Sequence, residues 1–349
     1  MCTSKQVALI WVGAVVGLLA VLCLSTPAAR AQCTLTSPLT WIYGNNGNWS
    51  GGPNWSPSGA PNSSSANVCI TDGSSTVTLD MNASVADLQL ATGNTLTFNP
   101  GESLSANGPS LINAGQINVN GGGNTDTYLY IPASVTLSGG GTVTLSTTTT
   151  GGGGYAWLNL QNTGTVLTNV NNTIQGEGII YNNPTIIRTT IINESGGTIN
   201  NESGGTINAN STGSPLTNTL TLQYGTVNNT GLMEATNNGT LQLVDTTVNN
   251  AGGNITANGS GASVQIYGGA DIVGGTLNNN GGAFFGTPAR QSALLDGGTA
   301  AGAVTINGTY TSDLGSNTYL YGSIVNNGTI LVNGGGGVST YLYVPTTPV

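Results

Sequence analysis

The chain has 349 residues, a formal net charge of −9, only 5% charged residues and no His. That balance excludes nucleic acid and anionic membrane surfaces as partners, because both recruit clustered cations. Lys5 is the only lysine, so a histidine-based nucleophilic triad, a histidine zinc site and a lysine-bearing phosphate loop are excluded too.

Residues 1–31 read as a secretory signal. Lys5 stands in a short polar start, Val7 to Leu24 is an apolar run, and Ala29-Arg30-Ala31 gives the small-x-small pattern of a cleavage site. The expected protein is therefore secreted or displayed at the cell surface, with no membrane span once the signal is removed. Its 13 acidic residues then face only Arg188 and Arg290. Cys33 and Cys69 are the cysteines left outside the signal; in an oxidising compartment they are expected to form a disulfide across a loop of about 36 residues.

Residues 32–71 hold Trp41, Trp49 and Trp55 and four prolines. A stack of strands exposes backbone and apolar surface at its end, so this segment reads as an N-terminal cap over whatever follows. The other reading makes the three tryptophans sugar contacts, since aromatic faces suit that role.

From Thr76 onward short strands alternate apolar and polar residues. Val77-x-Leu79, Leu96-x-Phe98, Ile117-x-Val119 and Val135-x-Leu137 follow one another at 19, 21 and 18 residues and read as successive coils. Between Gly225 and Leu277 the same phrase recurs: Thr226-Val227-Asn228-Asn229 returns as Thr247-Val248-Asn249-Asn250, and more loosely as Thr276-Leu277-Asn278-Asn279. A period of about 20 residues without helical patterning is the mark of a β-solenoid. The expectation is an all-β, right-handed parallel β-helix over residues 72–349, with on the order of 12 coils and a length of about 60 Å. Leu222 should lie over Leu243, and paired Asn residues should stack at corners as hydrogen-bonded ladders.

Two internal duplications fit that architecture. The octapeptide Asn193 to Asn200 is copied directly as Asn201 to Asn208, adding one strand and one corner. Asn113 to Gly123, continuing to Thr127-Tyr-Leu-Tyr-Ile-Pro132, realigns on Asn326 to Gly336, continuing to Thr340-Tyr-Leu-Tyr-Val-Pro345, at an offset of 213 residues. The second copy stops soon after, so the chain reads as truncated within a superrepeat, with an open last coil prone to end-to-end self-association. Gly- and Thr-rich Thr147 to Gly154 reads as a loop leaving one corner.

The Trp41-to-Trp55 segment, closing on Asn67-Val-Cys-Ile70, resembles the start of autotransporter-type passenger domains. Gly164-Thr-Val through Ile179, with residues 225–277, is similar to the degenerate repeats of bacterial extracellular adhesin-like proteins. That resemblance implies a parallel β-helix passenger, displayed on or released from the cell.

A polysaccharide lyase needs Arg or Lys beside clustered acids, and neither Arg188 nor Arg290 has acidic neighbours in sequence. A hydrolase needs two facing carboxylates; Glu194 and Glu202 are the nearest pair and read as corner residues. Asp126, Asp245 and Asp271 are isolated and offer at most loose cation contacts. The expected function is a structural or adhesive module without catalysis, cofactor or metal, the alternative being a polysaccharide-binding or polysaccharide-degrading β-helix. Its partner would be a surface glycan or protein. Tyr128, Tyr130, Tyr341 and Tyr343 are the candidate contacts beside the tryptophans, one Tyr of each pair being expected to point outward.

Overall fold

The computed structural model describes residues 32–147, 153–182, 198–210 and 218–345; the signal segment, Glu194 and Arg188 lie outside them. The chain winds as a parallel β-helix with three faces. One strand per coil is laid on each of three sheets, of 14, 12 and 11 strands, and sequence neighbours always lie on different sheets after the first turn. Val68–Ile70, Leu88–Leu90 and Ser110–Asn113 open the first face; Thr76–Leu79, Thr95–Phe98 and Gln116–Gly121 the second; Ala83–Val85, Ser103–Ala106 and Thr127–Ile131 the third.

Alternation explains the packing. Strand after strand shows buried residues at every second position, so each coil sends one row of aliphatic side chains inward and one row of Thr, Asn or Ser outward. Parallel pairing in register stacks each inward row on the next. Leu222 lies on Leu243 and Leu243 on Ile266. Thr226 to Asn228 lie on Thr247 to Asn249. The result is one continuous core from Trp41 to Leu320.

The third face has 11 strands, so there are 11 coils among the described residues, slightly fewer than the sequence rhythm suggests. Coils lengthen away from that rhythm: partners sit 21 residues apart at Asn229 and Asn250 but 32 apart at Asn169 and Asn201. Two expected equivalences shift for the same reason. Val77, Leu96 and Ile117 do stack, but the next residue in that row is Val143; Val135 belongs to the first face, where Thr136 pairs with Ser110. Thr276 lies on Asn254 on the second face and does not continue the Thr226–Thr247 row. With three similar strands per coil, residues about 20 apart need not share a face.

The duplications obey the same geometry. The described ends of the octapeptide copies, Thr198–Asn201 and Thr206–Asn210, form the first-face and second-face strands of one coil. The longer repeat lands one face further round. In its first copy Gln116–Gly121 is on the second face and Thr127–Ile131 on the third; in the second copy Thr329–Val332 is on the third face and Tyr341–Tyr343 on the first. The intervening turn keeps its form, with an antiparallel bridge from Gly122 to Thr125 in one copy and from Gly335 to Val338 in the other. The repeat is therefore a strand–turn–strand unit that any face can accept.

The N-terminal end is built differently. Leu39–Trp41 pairs in parallel with Val68–Ile70, while Trp55–Ser56 adds antiparallel to it as the outermost strand of the first face. Trp49 and Trp55 meet edge to face at 4.9 Å, and Trp41 and Trp55 at 5.0 Å. Trp49 Nε1 donates to the Pro61 carbonyl and Trp55 Nε1 to the Trp49 carbonyl, each at 2.8 Å. Cys33 and Cys69 form the expected disulfide, Cα atoms 6.0 Å apart, tying the first described residues to the first coil.

Candidate functional site

The corners set the frame on which any site is mounted. At the turn from the first to the second face, Asn169 Nδ2 donates to Asn201 Oδ1 (3.0 Å), Asn201 to Asn229 (2.8 Å) and Asn229 to Asn250 (2.7 Å). Each amide also donates to a carbonyl, of Asn172, Leu232, Asn254 and Thr276 in turn, which fixes its orientation. All four residues are buried. On the outer side a second ladder runs the opposite way, from Asn249 to Asn228 and from Asn228 to Asn200, each at 2.8 Å. The turns that admit the inner ladder need Gly: a Cβ on Gly253 would collide with the carbonyl and the side-chain amide of Asn229.

Asn229→Ala removes an acceptor for Asn201 and a donor to Asn250 while leaving both groups buried, so it should destabilise the fold by about 1 to 3 kcal/mol. Asn249→Ala, at the exposed outer ladder, should change stability by no more than about 0.5 kcal/mol. Urea unfolding of the two variants measures the difference, and equal midpoints would show that the buried amides contribute nothing special.

Placement of the aromatic candidates divides them. Trp41, Trp49 and Trp55 are 2%, 0% and 1% exposed, so the sugar-contact reading of these three is corrected: their faces are consumed by one another and by the first coil. Both members of each Tyr-x-Tyr pair point outward, not one, because residues two apart share a face and Leu129 between Tyr128 and Tyr130 is buried. Tyr341 and Tyr343 are exposed by 48% and 38% on the first face, where Tyr343 stacks on Tyr319 at 4.8 Å.

Tyr128 and Tyr130 belong to a larger assembly on the third face. They stack at 4.8 Å; Tyr128 stacks on Trp157 at 5.9 Å, Trp157 meets Tyr181 at 5.8 Å, and Tyr181 meets Tyr224 at 5.7 Å. Register explains the contacts: Tyr128 lies on Trp157 and Tyr130 on Asn159, which lies on Tyr181. The Tyr128 hydroxyl donates to Asp126 Oδ2 at 3.1 Å, while Asp126 Oδ1 accepts from the Tyr155 backbone N–H at 2.7 Å. Partial burial, and then the nearby Asp126 carboxylate, push the Tyr128 phenol up to about 12, so it stays a neutral donor. Trp157 Nε1 is buried without an acceptor among the described residues.

Trp157, Tyr155, Tyr181 and Tyr224 were absent from the sequence candidates. The available signal was the Ala156-Trp-Leu-Asn-Leu160 alternation, which repeats the pattern of Thr127 to Ile131 one coil later. Further along the same face the aromatic rows give way to hydroxyls and amides. Ile179 lies on Thr221 and Thr221 on Gln242, and Gln242 Nε2 donates to Gln265 Oε1 at 2.9 Å.

The acidic residues are dispersed, and no group of three or more acidic, Cys or His side chains converges among the described residues. Asp126 is engaged as above, and Asp245 sits at a left-handed turn position. Asp271 on the first face is the most perturbed: burial, and then the charge of Asp296 one coil on, push its carboxyl up to about 6.

Comparison with protein-family models, with curated proteins and with solved structures finds no match in any of the three. No helix among the described residues is long and apolar enough to cross a membrane.

Proposed function

We propose that the chain is an exported structural and adhesive module that works by display and not by catalysis. What carries this reading is the outward strip on the third face, where a rigid parallel stack holds aromatic rings, hydroxyls and amides in fixed rows across successive coils. A stack whose corners are internally hydrogen-bonded keeps such a surface ordered without a ligand, which lowers the ordering cost of binding. The disulfide supports assembly in an oxidising, extracellular compartment.

The test is retention of the purified chain, lacking residues 1–31, on a glycan array and on cells, against an albumin control. Binding above the control is expected, with no loss of the bound polymer over time. A second reading is favoured by one observation: Asp271 and Asp296 lie on adjacent strands of the first face, and burial, then the Asp296 charge, push the Asp271 carboxyl up, as suits a general acid. Release of reducing ends that disappears in Asp271→Asn would establish that reading and overturn the non-catalytic one.

A further inference from the structure

Within the module reading, and resting on it, the structure assigns a specific ligand class to one place: we propose that the third face binds an extended neutral polysaccharide along the helix axis, with its principal sugar subsite beside Tyr155. A recess of about 220 Å³ lies there, framed by Tyr155, Gly178, Ile179, Thr219, Thr221 and Gln242.

The composition of the recess selects the ligand. A pyranose ring has an apolar C–H face and an equatorial rim of hydroxyls, so it is held by an aromatic or aliphatic wall together with hydroxyl and amide groups that donate and accept. Tyr155 and Ile179 supply the wall; Thr219, Thr221 and Gln242 supply the rim. Tyr155 is 40% exposed, unlike the rings of the neighbouring ladder, which pack on one another. Its backbone is pinned by the hydrogen bond to Asp126. Gly178 lies on the inward row against Leu220, where a Cβ would strike the Ala156 carbonyl.

Among the described residues that frame the recess none is charged, and that decides between glycans. Anionic polymers need cations, and with Lys5 and Arg30 both inside the signal segment, only Arg188 and Arg290 oppose 13 acids. Uronate chains are repelled by that balance, while neutral ones are not. Direction comes from register. Trp157, Ile179, Thr221, Gln242 and Gln265 form one outward row across five coils, rising about 4.8 Å per coil, close to the length of one sugar residue in an extended chain. A polymer laid along the row meets a new contact at each residue.

Affinity electrophoresis through gels containing hydroxyethylcellulose, galactomannan or xylan, with polygalacturonate as the anionic control, tests the inference. Retardation by at least one neutral polymer and none by polygalacturonate is expected. Tyr155→Ala should weaken that retardation about tenfold and Thr221→Val about threefold, while Tyr155→Phe retains most of it and Asn249→Ala, on the first face, retains all. Far-UV circular dichroism and urea midpoints confirm that the variants fold. Failure of every neutral polymer to retard the wild type, or equal retardation of Tyr155→Ala, overturns the site. Retention on cells that persists in Tyr155→Ala leaves the module reading standing and refutes only this subsite, pointing to a protein ligand or another face.

Discussion

Leu243→Asp is expected to cost about 5 kcal/mol or more and to melt the central coils. Leu243 is fully buried between Leu222 and Ile266, its in-register partners on the coils before and after. The substitution deletes most of a side chain from a close-packed row and places there a carboxyl with no partner, so a cavity cost and a desolvation cost act together. Val244→Asp is the matched control. Val244 points outward between Gln223 and Tyr267, and the same acid there should cost less than about 1 kcal/mol. Because a slip of one residue would exchange the two faces, the pair also tests register. Urea unfolding followed by far-UV circular dichroism measures both. Similar midpoints for the two variants would refute the inward row on which the parallel helix depends. Since each coil touches only its neighbours, a broadened transition in Leu243→Asp would show the stack separating at that point into halves of unequal stability.

The contrast between these adjacent residues shows why so much of the fold is legible in the sequence. Alternation at Leu241-x-Leu243 and Val264-x-Ile266 reports directly which side chains are inside, and the 21-residue return of Thr-Val-Asn-Asn reports a true stacking interval. The Asn ladder is legible for a related reason: an amide is one of few groups that can pair with a copy of itself at each coil. What the rhythm does not encode is the face. Val135 and Val143 carry equal apolar character, and only the turn through Gly122 and Thr125, with the third-face strand Thr127–Ile131, puts Val135 on a different sheet from Ile117. The same ambiguity hides the one-face rotation between the two copies of the long repeat.

The candidate site was less legible because aromatic residues serve two opposite ends here. Trp49 and Trp157 each stand a few residues after Gly in sequence, yet Trp49 closes the core while Trp157 lies on an outward row. Their neighbours decide the outcome. Trp49 follows a two-residue strand that caps the second face and turns inward, whereas Trp157 sits between buried Ala156 and Leu158, which fix its direction by alternation. Tyr155 precedes the strand Ala156–Leu160, where period-2 reasoning assigns no face.

Trp49→Ala should destabilise the N-terminal end by about 4 to 5 kcal/mol and shift the protein to larger assemblies than the wild type forms. Truncating Trp49 removes the largest fully buried side chain of the cluster, its edge-to-face contact with Trp55, and the donor to the Pro61 carbonyl. Its backbone N–H donates to the Thr78 carbonyl, so the loss loosens the strand that lies against Thr76–Leu79. Once that end opens, the row of Val77, Leu79 and their backbone groups becomes an unpaired sheet edge, which another chain can extend. Trp49→Phe keeps most of the apolar contact but not the hydrogen bond and should lose only about 1 to 2 kcal/mol while keeping the wild-type assembly state. Sedimentation velocity over a range of concentrations, with urea midpoints for all three proteins, separates the outcomes. A Trp49→Ala protein that sediments as the wild type does and unfolds within about 1 kcal/mol of it would show that the tryptophan cluster is packing without a protective role, and that the first coil of a parallel β-helix can stand bare.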